Sequence, residues 1–438
     1  MQVFSGIDYI KIDLADHYGL DKLNFDDRLF WVNNAFDEKE IKTKETKQLL
    51  NIIEDVSKQH DLELENKPKA LAAVLAWKDY LNGNPTGYIC NKDASASGLQ
   101  LMSALSKCPI GLYNTGLLAK ADEPTERKDI YTLTYNEYNR IAGSTQIKTR
   151  KEIKKCMMTW AYGSKAVPKS ILGEDGLDYF YQACQVTATG AFWLRDLLLN
   201  CWDPKTTAHT WINADGYVSH VPVVVENQYK LSIAGVDVPF TLKQKGKIKS
   251  GISNAANLIH GTDAMILREL IRRCNHNPAR IAYIAYLLQQ VSDSMDNLHK
   301  EAVCASQRAK MGNLGTMIQL FEQTGFCSVR ICEFITSITD VLQLSSKHRA
   351  KLKEILFSMV QHGSFEVCAI HDSFGCTPNK VNYVRYWYKE IIADIVESDL
   401  FNFMYKQISP VKVNRVDQNP ALSVMIATSV RNSNYGLA

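Results

Sequence analysis

The stretch Phe365-Glu366-Val367-Cys368-Ala369-Ile370-His371-Asp372-Ser373-Phe374-Gly375 constrains the fold of this chain more than any other. It has the pattern of a short, mostly apolar strand that breaks at His371-Asp372 and turns at Gly375, ahead of Thr377-Pro378-Asn379. A buried strand that ends in a carboxylate exposes that charge at a turn, where a metal ion or water can meet it. An Asp in a hairpin turn is also common for purely local reasons, because its side chain bonds nearby backbone. A functional role therefore needs partners elsewhere in the chain.

With 438 residues, the chain is long enough for two or three subdomains around a sizeable core. It is 46% hydrophobic and 22% charged, ordinary values for a globular protein. A net charge of +3 is too small to argue nucleic-acid binding by itself, so any basic surface must be local. The 11 cysteines contain no C-x-x-C, and no His pair follows Cys327 and Cys332 at zinc-finger spacing. Free thiols in a reducing compartment are expected, not zinc ligands or a disulfide frame. No apolar run approaches the ~20 residues needed to span a bilayer, and Met1 to Ser5 opens neither a signal peptide nor a transit peptide.

Residues 1–80 have amphipathic helical spacing, around Leu29 to Val32 and Leu71 to Trp77. Asn82 to Gly87 punctuate a turn before a short strand at Tyr88-Ile89-Cys90, and a helix is expected from Leu99 to Leu105. Residues 120–148 are polar, suggesting loop and short helix, and Thr149 to Trp160 is strongly helical. Residues 205–250 turn to β character: Trp211-Ile212, a turn at Asn213 to Gly216, then Val221 to Val225 and Val236 to Leu242. From Thr262 to Gln361 nearly everything is helical in pattern, with breaks at Asn275 to Pro278 and Gly312 to Gly315.

Two further constellations complement Asp372. In Asn91-Lys92-Asp93-Ala94-Ser95-Ala96-Ser97-Gly98-Leu99-Gln100, Asp93 closes a short strand before small residues that let a ligand approach the backbone. Asp beside a helix start is also a common cap. In Arg150-x-x-x-Lys154-x-x-x-Met158-x-x-x-Tyr162-Gly163, steps of four residues rotate only ~40° each, so the side chains form one slowly drifting stripe. Two cations, an apolar spacer and a terminal aromatic suit a nucleoside triphosphate, with phosphates by Arg150 and Lys154 and sugar and base near Tyr162. A solvated basic face would explain the cations but not the aromatic and glycine. Nucleotidyl transfer needs two carboxylates holding two divalent ions ~3.5–4 Å apart, and Asp93 and Asp372 are the candidates.

Together the three stretches resemble motifs A, B and C of the single-subunit, phage-type RNA polymerases, a family that includes the mitochondrial enzymes. Asp93-x-Ser95-x-Ser97-Gly98-x-Gln100 looks like motif A; Arg150-x-x-x-Lys154 through Met158-Thr159-x-Ala161-Tyr162-Gly163-Ser164-Lys165 is very similar to motif B; His371-Asp372-Ser373-Phe374-Gly375 matches motif C. Weaker similarity covers Tyr9 to Asn33, His209 to Tyr217, and Ser250-Gly251-Ile252 with His260-x-x-Asp263. The resemblance implies an α+β, mostly helical fold: a right-hand polymerase palm and fingers with a small antiparallel palm sheet. It implies two Mg²⁺ at Asp93 and Asp372 with the Ala94 carbonyl, and triphosphate binding by Arg150 and Lys154, the latter as acid to the leaving pyrophosphate. Met158, Tyr162, Gly163 and His260 would line the nucleotide site, Tyr162 and His260 by the incoming ribose. Related DNA polymerases carry a bulky acidic residue where this chain has Gly98, an aromatic at Met158 and Glu at Ser373. All three differences favour ribonucleotides.

The implied division is palm over 1–110, fingers over 111–260 with a hairpin at about 218–249, further helices over 261–360 with an insertion at about 273–350, and palm again over 361–438. The family's N-terminal domain, thumb and an upstream Asp/Thr-x-x-Gly-Arg element have no counterpart here, so a second polymerase subunit is expected to supply them. Template DNA, nascent RNA and ribonucleoside triphosphates are the other expected partners, with an accessory single-stranded-DNA-binding or promoter factor, in the cytoplasm of an infected host cell. The promoter-reading hairpin looks short. Its far end, Lys243-x-Lys245-x-Lys247-x-Lys249, alternates so that four lysines share a strand face, suiting phosphate contact together with His371. Lysines guarding an edge strand give the same pattern. The insertion, with apolar faces such as Ile281 to Leu288, packs on the fingers or docks a partner. A DNA polymerase or primase-like enzyme, or a non-catalytic scaffold of the same fold, are the rival readings.

Overall fold

A computed structural model describes residues 1–119, 126–143, 147–291, 312–409 and 419–438. Helices dominate it, and three small antiparallel sheets interrupt them. The strands are β1 (Cys90–Asp93), β2 (Ala208–Ile212), β3 (Val218–Pro222), β4 (Val224–Ile233), β5 (Val236–Lys245), β6 (Cys368–Ile370) and β7 (Ser373–Cys376). An α+β fold with a small antiparallel sheet is thus borne out.

The N-terminal segment folds as expected into helices Gly6–Asp16, Phe25–Ala35, Glu38–Thr43, Thr46–Gln59 and Lys67–Leu81. Ser5 and Asp8 close a reciprocal capping box on the first. The first of them packs on β1 of the sheet ordered β1-β7-β6, and the second and fifth pack on the first. The helix Val381–Glu397 runs beneath the sheet, buried over most of its length against helices Ser97–Leu105, Ser253–Cys274 and Pro420–Asn432.

In β1 the side chains alternate inward and outward, and charge fixes which is which. Lys92 is 1% exposed and reaches Asp16 at 3.0 Å and Asp13 at 3.9 Å. Arg28 Nη1 meets the other Asp16 oxygen at 2.7 Å, and the Tyr88 hydroxyl donates to Asp13 at 2.5 Å. Burial pushes the Asp13 carboxyl up to about 6 despite Lys92. A one-residue slip of β1 would expel Lys92 from these partners and bury Asp93, so the register is strongly held.

Several expectations need correction. The first palm strand is Cys90–Asp93, not Tyr88–Cys90, because pairing with β7 begins at Cys90↔Cys376. The apolar stretch 365–370 supplies only three strand residues, and Ile370 is 64% exposed, so β6 is an edge strand. The turn falls at His371–Asp372, between the paired Ile370 and Ser373, with His371 at φ +55°. Gly375 is not a turn residue: it lies in central β7, where a Cβ would come within 2.5 Å of Asn91 Oδ1. Ile130–Ala142 is a full helix, because Thr134 and Tyr138 share its buried face with Ile130 and Ala142. Thr134 is satisfied there by Thr187 Oγ1 at 2.7 Å. Of the break expected at Gly312 to Gly315, Gly312 takes φ +57°, while Asn313 to Gly315 lie within helix Gly312–Thr324.

The segment expected to hold a short hairpin, about 218–249, holds β3, which pairs back on β2, and the hairpin β4–β5 with ten residues in each strand. Ala234 and Gly235, both at positive φ, make the two-residue turn of β4–β5. One face of this ribbon is apolar and half-exposed, with Tyr229 stacked on Phe240 at 5.5 Å. Strand β5 ends at Lys245, so Lys247 and Lys249 do not extend the expected lysine face; Lys243 pairs with Glu226 at 2.8 Å. In the insertion, Ile281, Ile284, Ala285, Leu287 and Leu288 turn inward on helix Ser346–His362, as packing requires, while residues 292–311 lie outside the described segments. The described cysteines are free thiols, and no described helix is long and apolar enough to cross a membrane.

Candidate nucleotidyl-transfer site

The sheet brings together two residues far apart in sequence. Asp93 pairs with Ser373, and the Ala94 amide donates to the Asp372 carbonyl at 2.9 Å. Asp93 and Asp372 therefore stand at adjacent strand ends on the open rim of the sheet. Asp93 is exposed because its neighbour Lys92 takes the buried side of the pleat. The other edge of β1 is closed by the final residues: Ala438 N donates to the Asp93 carbonyl at 3.0 Å, and Ala94 bridges Leu437. Tyr435 anchors that segment by stacking on Phe25 at 4.9 Å.

The cationic stripe rides on helix Arg150–Trp160, started by a capping box between Thr149 and Glu152. Ile153, Cys156, Met157 and Trp160 bury one side, leaving Arg150, Lys154 and the half-exposed Met158 on the other. The helix ends before Tyr162, which reaches back to the sheet side of the site. A Cβ on Gly98 would lie 2.3 Å from Tyr162 Oη, so the two residues touch only because position 98 is glycine. Gly163 adopts φ +96°, with Leu199 2.9 Å from where a side chain would begin.

Tyr162 also packs on His260, ring centroids 4.7 Å apart. Burial, then the nearby carboxylates Asp263 and Asp372, push its hydroxyl up to about 12. Asp263, one helical turn after His260, is itself pushed up to about 6 by burial and by Asp372, with His371 opposing. His260 is shifted down by burial and by His371. Asp93, Ala94, His371, Asp372, Tyr162, Gly163 and His260 thus form one constellation. The lysines 243 and 245 stand apart from it, on the separate β4–β5 ribbon.

Residues without an assigned role also enter. Asp129 binds Arg150 through Nη2 and Nε, Thr132 Oγ1 accepts from Nε at 2.8 Å, and Lys154 lies 5.4 Å over the Tyr131 ring. Burial and then the charges of Tyr162, Asp129 and Asp372 raise the Tyr131 hydroxyl above its ordinary range. The one available signal was Asp129 ahead of an i+2, i+3 Tyr-Thr pair at a helix start. For Asp263 it was the three-residue step from His260.

The donor set fits Mg²⁺. Two carboxylates and a backbone carbonyl are hard oxygen ligands, and a protein that offers few of them suits an ion that keeps water and substrate oxygens. Among the described residues no group of three or more His, Cys, Asp or Glu side chains makes a closed metal cage.

Sequence comparison relates the part of the chain that carries Asp93, Arg150, Lys154 and Tyr162 to known proteins. Residues 4–171 match the family model for DNA-dependent RNA polymerase. A DNA-directed RNA polymerase of Pseudomonas phage phiKMV is 33% identical over 126 residues, which make up 27% of this chain and 15% of that protein. The matched region holds the Asp93 and Arg150–Tyr162 stretches, and the chain spans only 15% of that relative's length.

Proposed function

We propose that the chain is the catalytic subunit of a phage DNA-directed RNA polymerase, joining ribonucleotides to an RNA 3′ end. The observation that carries this reading is the strand-end pairing that sets Asp93 beside Asp372, in front of Tyr162. Asp93, Asp372 and the Ala94 carbonyl would hold the Mg²⁺ ions, which when bound activate the attacking hydroxyl and neutralise charge on the phosphates. Arg150 grips the triphosphate through its forked donors and Lys154 as a point charge. Lys154 Nζ then carries the proton for the leaving pyrophosphate. Tyr162 and His260 flank the sugar, and Gly98 leaves space for a 2′-hydroxyl. Lys243 and Lys245 add sequence-independent phosphate contact. A second polypeptide supplies the remaining grip on template and product.

The test is incorporation on a primed template by the full chain with its co-purifying partner, with ribo- and deoxyribonucleotides compared. Asp93→Asn and Asp372→Asn are each expected to lower turnover at least ~10³-fold with unchanged melting. Variants that retain turnover would leave only a scaffold, and a preference for deoxyribonucleotides would make the chain a DNA polymerase.

A further inference from the structure

Asp129 does two things with its two oxygens. Oδ1 accepts the Tyr131 amide at 3.1 Å, capping helix Ile130–Ala142. Oδ2 accepts from the Thr132 hydroxyl at 2.7 Å and from Nε and Nη2 of Arg150. Thr132 Oγ1 takes a share of the same Nε. One edge of the guanidinium is thereby fully occupied and its plane fixed. Among the described residues Nη1 has no protein partner, so the other edge is left to face solvent or ligand.

The cap also sets the first turn that carries Tyr131, whose ring lies under Lys154 Nζ at 5.4 Å. A single carboxylate therefore orients Arg150 directly and Lys154 through Tyr131. Burial alone would raise the Asp129 carboxyl, yet the Thr132 hydroxyl and Arg150 hold it below the ordinary range, so it is an anion when it does this.

We propose that Asp129 is a positioning residue for triphosphate binding: it pre-orients the Arg150 fork and the Lys154 ammonium so that phosphates meet a formed site. This rests on the nucleotide-binding reading of the Arg150–Lys154 stripe. Without Asp129, Arg150 samples its rotamers in solvent and each binding event must order it, which lowers affinity and leaves the reacting centre unchanged.

Two substitutions keep the cap and remove the grip. Asp129→Asn retains Oδ1 but turns an amide donor toward the guanidinium, and Asp129→Ser caps the helix but is too short to reach Arg150. In the full chain with its partner, each is expected to raise KM for all four ribonucleotides about tenfold, to change kcat less than about twofold, and to leave melting within ~2 °C. In an Arg150→Lys background, which lacks the fork, the Asp129→Asn effect should shrink below about twofold. An unchanged KM in both variants overturns the proposal, as does a tenfold effect that persists beside Arg150→Lys. Calorimetry with inorganic tripolyphosphate separates this from the polymerase reading. Tripolyphosphate affinity that falls with Asp129→Asn, in a protein that incorporates no nucleotide, sinks the polymerase and keeps the positioning role.

Discussion

Gly98→Ala is the smallest change that tests the site's architecture. Its added carbon would sit 2.3 Å from Tyr162 Oη and 3.1 Å from Cζ, whereas ordinary contact begins at 3.4 Å. The tyrosine tip must move by about 1 Å, and misplacement of that size at a reacting centre can cost ~10²-fold. Retreat is restricted. His260 lies against the ring at 4.7 Å, and the backbone at Gly163 is pinned by Leu199 and Ile252 in a conformation that favours glycine. We expect kcat/KM for ribonucleotides to fall about 10²-fold, with the overpacking cost to stability held to about 1–3 kcal/mol. Tyr162→Phe in the same chain removes the atom in conflict and leaves only the 3.1 Å contact, so the double variant should recover roughly tenfold of the loss. Single-nucleotide incorporation under pre-steady-state conditions, beside thermal melting, measures all of this. Wild-type kcat/KM in Gly98→Ala, or a double variant no better than the single, refutes the reasoning.

Asp13 gives a pH signature. Its carboxyl sits at about 6 in the folded protein against 3.8 as a free side chain, so the native state binds the extra proton between those values. Its stabilising share is complete below about pH 4 and is lost as pH rises through 6. Asp13→Asn, which can still accept from Tyr88, should flatten that part of the stability curve; urea titrations from pH 4 to 8 that keep the slope would exclude Asp13 as its source. Two phenylalanines should separate palm from ribbon. Phe374→Ala, at 3% exposure in central β7, is expected to cost about 3–5 kcal/mol, and Phe240→Ser, at 45%, less than about 1; equal losses by chemical denaturation would mean that the ribbon's apolar face is covered in solution.

What was legible in the sequence had local causes. The helix over Thr149 to Trp160, the four-residue stripe from Arg150 to Met158 and the turn chemistry near Asn213 all act within a few residues, and all appear where expected. The strand boundaries at Cys90 and Ile370 were not legible, because a strand begins where its partner begins, and β7 is contributed by a segment far along the chain. The helix after Asp129 was hidden for a different reason. Its buried face uses Thr134 and Tyr138, and the Thr134 hydroxyl finds its partner only in Thr187, which folding brings near. The lysine alternation beyond Lys245 failed because period-2 patterning describes a strand only while a partner continues to pair. At the site, the three motifs were readable as separate chemistries. The placement of Asp129, Tyr131 and Asp263 beside them was not, since nothing in their own neighbourhoods sets them apart from capping or surface residues.

The β1 strand shows how so small a sheet can hold two carboxylates close together in the open. Like charges repel, and a four-residue strand has little ladder energy with which to resist. The resistance comes from its opposite face, where Lys92 lies among Asp13, Asp16 and, through Asp16, Arg28. Removing one member of a buried network of this kind costs about 3–5 kcal/mol, more than two surface carboxylates in water can exert on each other at ~4 Å, which is about 1 kcal/mol. The strand therefore stays in register whether or not cations neutralise Asp93 and Asp372. The two carboxylates are thus held in place by charges on the opposite face of the sheet, and the proposed site needs no bound cation to keep its register.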